Sequence, residues 1–168
     1  MKKLIVTMTL LLLSTGLALA QTPRPPQKEY MGQGYVYIGP GAFTTDSDAL
    51  LHFGGGGEGF LKGGLAAGVE FGGFSNAKNL SNGFGVLSPG VSYHFLKASR
   101  SGKVVPFVTG GYTLFFSSDG VDNGIHFGGG VNYWFKERIG LRIEVRDHAP
   151  YPFTDFHIVG FRFGFAFR

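Results

Sequence analysis

Bulky apolar residues alternate with small or polar residues along most of the chain. In the last ten residues, VGFRFGFAFR, four phenylalanines take every second position, with an arginine, a glycine and an alanine between them. Successive side chains of a β-strand point to opposite faces, so this pattern predicts a strand with a row of phenyl rings on one face. After residue 20 no segment shows the 3.6-residue stripe of an amphipathic helix, and we expect essentially no helix there.

Eight strand-like segments follow the first thirty residues and occupy most of the remaining chain. Because short connections join them in succession, they predict an antiparallel meander, and closure of that meander removes its exposed edges. The predicted fold class is therefore all-β, an eight-stranded antiparallel up-and-down barrel. The segments are Gly34–Phe43, Leu51–Leu61, Gly63–Phe74, Phe84–Leu96, Val104–Phe116, Gly124–Phe135, Ile139–Arg146 and Phe156–Phe167.

Two kinds of closed barrel fit eight antiparallel strands, and they differ in which face is apolar. A soluble lipocalin-type barrel packs its apolar face inward, whereas a transmembrane barrel turns an apolar belt outward and keeps a polar interior. The positions between the bulky residues hold few of the polar side chains that a water-facing surface needs. They hold Gly64, Ala66, Gly68, Gly72, Gly90, Gly128, Gly130, Gly160, Gly164 and Ala166. Small groups suit the crowded interior of a narrow barrel, so the pattern favours a transmembrane barrel.

The bulky positions of the alternating strands predict a lipid-facing belt. Its members are Val91, Tyr93, Phe95, Phe127, Tyr133, Phe135, Leu141, Ile143, Val145, Phe161, Phe163, Phe165 and Phe167. Six aromatic residues, two of which also belong to the belt, are candidates for the aromatic girdles that lie at the two membrane surfaces of such barrels. The alternation, however, turns Trp134 inward. These candidates are Tyr35, Tyr37, Tyr93, Tyr112, Tyr133 and Trp134. In the first and fifth segments, the pattern does not show which of the alternate positions face outward.

Charged residues at the opposite positions predict a network inside the barrel. They are Glu58, Glu70, Arg142, Glu144, Arg146 and Arg162. Isolated charges in a narrow interior are costly, so we expect the carboxylates and the guanidinium groups to pair. Such a network would plug the interior, because eight strands enclose a space that side chains can fill.

The first 20 residues have the features of a cleavable secretory signal peptide. Lys2 and Lys3 precede the apolar run Leu4–Leu13, and Ala18-Leu19-Ala20 is a small-x-small cleavage site. We expect a Pro-containing periplasmic lead-in over residues 21–31 and a barrel domain over residues 32–168. Loss of the two lysines lowers the formal net charge from +4 to +2, which gives no support to a nucleic-acid partner. The chain has no cysteine and therefore no disulfide.

From about Gly32 onward the chain resembles the small eight-stranded outer-membrane β-barrels of Gram-negative bacteria, the OmpA/OmpX-like barrel domain. The resemblance rests on the signal, the eight alternating segments, the glycine-rich stretch Glu58–Ser75 (EGFLKGGLAAGVEFGGFS) and the aromatic C-terminal strand. Barrels of that family usually end in an aromatic residue, whereas in this chain Arg168 follows Phe167. The resemblance implies an outer-membrane location with periplasmic termini. It also implies contact with outer-membrane lipids and lipopolysaccharide, and assembly by the barrel-assembly machinery. We expect a monomer.

The connections alternate in charge. All six aspartates of the chain lie in the connections after the first, third, fifth and seventh segments. Lysine and arginine mark the other three connections, Lys62, Lys97–Lys103 and Lys136–Arg138. In a meander, alternate connections lie at opposite ends, so one end is predicted to be acidic and the other basic. Aspartates at the acidic end either contact divalent cations or simply solvate the loops.

Three groups of residues are candidates for a chemical site. Residues 54–59 spell G-x-G-x-x-G, but no helix follows to hold a pyrophosphate, so we expect no nucleotide site. His52, His94 and His126 share the inward face, but the segments place them at different ends, and neither a metal nor a cofactor is expected. His148 lies beside Asp147, with Ser117 and Ser118 in a neighbouring connection, the residue types of a hydrolase triad.

These observations predict a small barrel with a plugged lumen, without catalysis, that has a structural or surface-contact role in the bacterial envelope. Two alternatives remain open at this point. One is an outer-membrane enzyme that modifies envelope lipids as an acyl ester hydrolase. The other is a soluble lipocalin-like periplasmic carrier.

Overall fold

Eight β-strands close into a barrel in the computed structural model, which describes residues 30–45, 49–99, 101–152 and 157–168. The predicted signal peptide and nearly all of the predicted lead-in lie outside the described residues. The strands are β1 (Gly32–Phe43), β2 (Ala49–Phe60), β3 (Leu65–Asn76), β4 (Asn79–His94), β5 (Val104–Ser117), β6 (Gly120–Trp134), β7 (Ile139–Pro150) and β8 (Ile158–Phe167). The predicted eight-stranded antiparallel up-and-down barrel is confirmed.

Each strand pairs with its neighbour in sequence, and β1 pairs with β8 to close the barrel. Gly34 near the start of β1 is opposite Phe167 at the end of β8, so both chain ends of the barrel lie at one end. We call this the turn end, because the connections after β2, β4 and β6 also lie there; the other four connections define the loop end. In the described part of the chain, no helix is long and apolar enough to cross a membrane.

The strands extend further toward the loop end than the sequence pattern predicts. Only residues 77 and 78 separate β3 from β4, and Asn76 is opposite Asn79. Likewise Ser117 is opposite Gly120 at the end of the β5–β6 hairpin, where Gly120 has a φ of 140°. The polar composition of these segments predicts loops. Backbone pairing across the hairpins outweighs the low β-propensity of serine, asparagine and aspartate.

The barrel interior has an apolar cluster toward each end and charged groups between them. The turn-end cluster consists of Tyr35, Tyr37, Val105, Trp134 and Ala166, with Leu96 packed against it. The loop-end cluster consists of Leu50, Phe74, Val86, Phe115 and Ile158, with Phe43 and Phe84 packed against it. The suggestion that Tyr35 and Tyr37 belong to a membrane-surface girdle is wrong, because only 8% and 5% of these residues are exposed.

Two glycines permit the close approach of β1 and β8 at the closing seam. A β-carbon on Gly39 would overlap the carbonyl oxygen of Phe161 on β8. A β-carbon on Gly164 would overlap the carbonyl oxygen of Val36 on β1. The seam therefore depends on one glycine from each strand, and neither position admits a side chain without separating the backbones.

Candidate functional site

Six charged side chains point into the barrel lumen and form one connected network. Glu58 is on β2, Glu70 on β3, and Arg162 on β8, while β7 supplies every second residue from Arg142 to Arg146. Relative exposure is 1% for Glu70, Glu144 and Arg162, 2% for Arg146 and 3% for Arg142. With three carboxylates and three guanidinium groups, the network has no net formal charge.

Glu70 is the most heavily contacted carboxylate of the network. Arg162 binds it with two nitrogens, Nη1 at 2.5 Å from Oε1 and Nη2 at 3.0 Å from Oε2. Arg146 Nη1 lies 3.2 Å from Oε2 of the same carboxylate. Bidentate contacts between arginine and carboxylate are among the strongest charge-assisted hydrogen bonds, so Glu70 links β3 firmly to β7 and β8.

Glu144 joins the three arginines to one another. Its Oε1 accepts hydrogen bonds from Arg146, with Nε at 2.7 Å and Nη2 at 2.6 Å. Its Oε2 accepts from Arg162 Nη2 at 2.7 Å and from Arg142 Nε at 3.1 Å. A single carboxylate thus separates three like charges that would otherwise repel one another in the lumen.

Glu58 ends the network on the side of β4. Arg142 Nη1 lies 3.5 Å from Glu58 Oε1, and Gln33 Nε2 donates to the same oxygen at 2.6 Å. His94 Nε2 is 3.2 Å from that oxygen, and the hydroxyl of Ser92 donates to the other one. Polar side chains from β1 and β4 therefore satisfy the carboxylate that has the weakest arginine contact.

Two tyrosines that the sequence pattern did not assign to the lumen complete the network. Tyr37 donates to Glu70 Oε1 at 2.7 Å, and Tyr35 donates to Oε2 at 3.2 Å. The guanidinium carbon of Arg162 lies 3.9 Å from the Tyr37 ring centre, and that of Arg142 lies 4.1 Å from the Tyr35 ring centre. In β1, aromatic and aliphatic side chains alternate, so both faces look apolar. Only their hydroxyls distinguish the inward residues.

Glycines on β2 and β3 make room for the phenol ring of Tyr37. A β-carbon on Gly54 would lie 2.6 Å from the Tyr37 hydroxyl oxygen, and one on Gly72 would lie 2.7 Å from it. The G-x-G-x-x-G stretch is thus part of strand β2, and strand β3 follows it. Of its glycines, Gly54 and Gly56 leave space for the hydroxyl groups of Tyr37 and Tyr35.

A layer of histidines lies between the charged network and the loop-end cluster. The ring centres of His52 and His148 are 5.7 Å apart, and those of His126 and His148 are 5.8 Å apart. Thr113 Oγ1 is 2.9 Å from His126 Nδ1, 3.3 Å from His148 Nδ1 and 3.0 Å from Ser88 Oγ. A hydroxyl has one proton, so at least two of these three partners donate to Thr113, and at least one of them is an imidazole N–H.

The residues proposed for a hydrolase triad do not come together. His148 is fully buried in the lumen, whereas Asp147 faces the opposite side of β7 and its Oδ2 is 2.9 Å from His157 Nδ1. Ser117 and Ser118 are exposed at the β5–β6 hairpin, where they contact Asp119. Adjacent residues of a strand point to opposite faces, so the pair Asp147–His148 is unsuited to acid–base cooperation.

The inward histidines divide between the two ends of the barrel. His52 stacks on Phe74 of the loop-end cluster, with ring centres 3.9 Å apart. His94 stacks on Phe107, with ring centres 5.3 Å apart, and contacts Phe60 nearer the turn end. Among residues 30–45, 49–99, 101–152 and 157–168, no three histidine or carboxylate groups are arranged to hold a metal ion.

The thirteen belt residues named above all lie exposed on the outer face of the barrel. In β8, the exposed fractions of Phe161, Phe163 and Phe165 are 41%, 47% and 49%, while Arg162 between them is 1% exposed. Large apolar side chains outside and charged groups inside are the reverse of a lipocalin-type barrel. The arrangement thus contradicts a carrier with an apolar ligand cavity.

Little empty space remains around the network. A cavity of about 20 Å³ lies between Glu58, Ser88, Ser92, His126 and Arg146. That volume corresponds to roughly one water molecule. A cavity of this size has no room for an organic ligand.

No protein-family model and no curated protein matches the sequence. Solved structures match the chain over most of its length. The crystal structure of Neisserial surface protein A (NspA) is 16% identical, with a TM-score of 0.60, over 81% of this chain and 94% of that one. A de novo designed transmembrane β-barrel is 17% identical, with a TM-score of 0.53, over 84% of this chain and 98% of that one.

A third match is Ail, the attachment invasion locus protein of Yersinia pestis, solved in complex with the heparin analogue sucrose octasulfate. It is 11% identical, with a TM-score of 0.52, over 82% of this chain and 99% of that one. At these identities, the likeness establishes a shared fold.

Proposed function

We propose that this chain is a small outer-membrane barrel with a plugged polar lumen and a structural or surface-contact role in the bacterial envelope, without catalysis. The observation that carries the proposal is the inverted polarity of β8. Phe163 is 47% exposed on the outer face, and Arg162 is 1% exposed in the lumen. An apolar outer belt that encloses paired charges suits a protein whose solvent is lipid.

Closure of the barrel supports the same placement. In hydrocarbon, every backbone polar group needs an internal partner, and only helices and closed barrels provide this. Here each strand is hydrogen-bonded on both sides. The structural neighbours NspA and Ail are bacterial outer-membrane barrels, which agrees with an outer-membrane location for this chain.

We also propose that the chain is related to the OmpA/OmpX-like barrels and has their orientation in the outer membrane. The turn end, with both barrel termini, would face the periplasm, and the loop end would face outward. The belt would contact outer-membrane lipids and lipopolysaccharide, and the barrel-assembly machinery would insert the chain. Basic residues at the turn end and aspartates at the loop end support this orientation. We also propose that the barrel is a monomer.

Fractionation combined with heat-modifiable electrophoresis tests the placement. The expressed protein is expected in the outer-membrane fraction after a carbonate wash, and its electrophoretic mobility is expected to shift on boiling. Recovery of the folded protein in the soluble periplasmic fraction would overturn the proposal.

Planar-bilayer recording tests the plug separately. The charged network and the two apolar clusters fill the lumen, so the purified barrel is expected to show no large, stable open channel. Sustained conductance at the level of a general porin would contradict the plugged lumen. Release of fatty acid from lipopolysaccharide or phospholipid by the refolded protein would contradict a role without catalysis.

A further inference from the structure

A pocket of about 220 Å³ lies at the turn end, outside the charged network. Three separate parts of the chain form it. The β4–β5 connection supplies residues 101–103, the end of β6 and the next connection supply residues 134–137, and Arg168 follows β8. The volume corresponds to the space of roughly seven water molecules, so it accommodates a small polar group.

Three cationic side chains line this turn-end pocket. Lys103 and Lys136 are exposed, and Arg168 is partly buried beside them. Within the described part of the chain, no carboxylate forms an ion pair with either lysine. Glu137 is the one acidic side chain in the lining, so the side chains give the pocket an excess of positive charge.

Aromatic rings hold Arg168 in a fixed position in this pocket. Its guanidinium carbon is 4.2 Å from the ring centre of Tyr30 and 4.0 Å from that of Trp134. Its Nε donates to the carbonyl oxygen of Glu137 at 3.0 Å, and its backbone N–H donates to the carbonyl of Arg138 at 3.1 Å. The cationic group is therefore positioned before any ligand arrives, which lowers the ordering cost of binding.

We propose that the turn-end pocket binds a phosphate group. Lysine ammonium groups bind phosphate as point charges, and the lining has more cationic than anionic side chains. Phe135 also lines the pocket and is 42% exposed on the outer belt. The pocket therefore opens toward the apolar surface, where the headgroup of an anionic phospholipid would lie with its acyl chains along the belt.

Phosphate comes from two sources, a lipid headgroup or a soluble phosphate ester. The lipid source rests on the membrane placement proposed above, whereas binding of a soluble ester does not. The two sources therefore need separate measurements on the same refolded chain.

Trp134 provides the measurement, because it is the only tryptophan of the chain and it lines the pocket. The full-length mature protein is refolded in a maltoside detergent, which carries no phosphate, and titrated with glycerol 3-phosphate at constant ionic strength. A saturable change in tryptophan fluorescence is expected. Its apparent affinity is expected to fall at least tenfold in the Lys103→Gln/Lys136→Gln double variant.

A Lys62→Gln/Lys97→Gln double variant is the matched control, because it removes the same charge from the turn end but from outside the pocket. It is expected to retain the affinity of the unmodified chain. Heat-modifiable electrophoresis of all three proteins establishes that each is folded. If both double variants lost affinity for glycerol 3-phosphate equally, binding would reflect general electrostatic attraction, and the assignment of the phosphate site to this pocket would be wrong.

Vesicles distinguish the lipid source. Brominated phosphatidylglycerol is expected to quench Trp134 more strongly than brominated phosphatidylcholine at equal content, and the excess is expected to disappear in the Lys103→Gln/Lys136→Gln variant. Saturable binding of glycerol 3-phosphate without excess quenching supports the pocket with a soluble ligand. Absence of both signals in folded protein overturns the proposal. Failure to insert into vesicles, with glycerol 3-phosphate binding intact, contradicts the membrane placement alone.

Discussion

The guanidinium group of Arg162 on β8 contacts both carboxylate oxygens of Glu70 on β3, at 2.5 and 3.0 Å. The two strands are not neighbours in the barrel wall, so this pair spans the lumen. Both side chains are 1% exposed. A contact across the axis fixes the relative position of the two sides of the barrel, which hydrogen bonds between adjacent strands do only indirectly.

Replacement of Glu70 by glutamine is expected to destabilise the barrel strongly. The change leaves Arg146 and Arg162 without their shared carboxylate, and breaking a buried pair in this way costs about 3–5 kcal/mol. The free energy of unfolding in urea, measured in lipid vesicles, checks the effect. Asp119→Asn removes a carboxylate from the exposed β5–β6 hairpin and is expected to leave it unchanged. Equal stability of the two variants would contradict a structural role for the network.

Removal of the Tyr37 hydroxyl is expected to have a smaller but measurable effect. Tyr37→Phe loses a 2.7 Å hydrogen bond to a buried carboxylate. Hydrogen bonds to charged groups contribute about 1.5–3 kcal/mol. The matched control is Tyr93→Phe, since Tyr93 is 44% exposed on the outer belt. The same unfolding measurement should separate the two variants; a larger loss for Tyr93 would show that the hydroxyls of the belt matter more than those of the lumen.

Gly39→Ala is expected to prevent or weaken closure of the barrel. The new methyl group would overlap the carbonyl oxygen of Phe161, so β1 and β8 would have to separate. Loss of the faster-migrating folded band in unboiled electrophoresis samples is the readout. In Gly57→Ala, the added carbon would lie 3.7 Å from the nearest atom, the carbonyl oxygen of Gln33. That control should keep the folded band; its loss there would show that any glycine-to-alanine change in these strands has the effect, and not the overlap at the seam.

A charge on the outer belt is expected to be costly only in a membrane. Phe163→Lys places an ammonium group in the row of phenyl rings, and a lysine that faces lipid near the bilayer centre costs about 2–4 kcal/mol. Phe163→Leu is the control that keeps an apolar side chain. Both variants are compared with the unmodified chain by unfolding in vesicles. A Phe163→Lys variant as stable as Phe163→Leu would mean that this surface does not face lipid.

The fold was predictable because strict alternation in β7 and β8 leaves one consistent assignment of faces. In β7, arginine and glutamate alternate with leucine, isoleucine and valine, so parity alone separates the two sides. The structure places the charged side in the lumen and the apolar side outside. Few other arrangements accommodate charged and bulky apolar residues at a period of two.

Other features were not accessible from the pattern. Tyr35 and Tyr37 have aromatic rings, like the belt residues, and their inward direction depends on pairing with a carboxylate of β3. His148 lies beyond the predicted end of β7 at Arg146, where the sequence pattern predicts a loop. The structure extends β7 to Pro150 because its backbone continues to pair with β6, and this turns His148 into the lumen. In both cases, contacts between strands determine the direction of the side chain, and the local sequence pattern does not contain them.

The lumen network divides unequally between the two halves of the chain. The first four strands contribute Glu58 and Glu70, two negative charges, and the last four contribute Glu144 with three arginines, a surplus of two positive charges. The lumen-facing carboxylates of the leading half therefore gain their arginine partners only after the trailing half has been made. Two fragments cut within the β4–β5 connection would carry opposite net charges on the faces that meet in the lumen, negative on β1–β4 and positive on β5–β8.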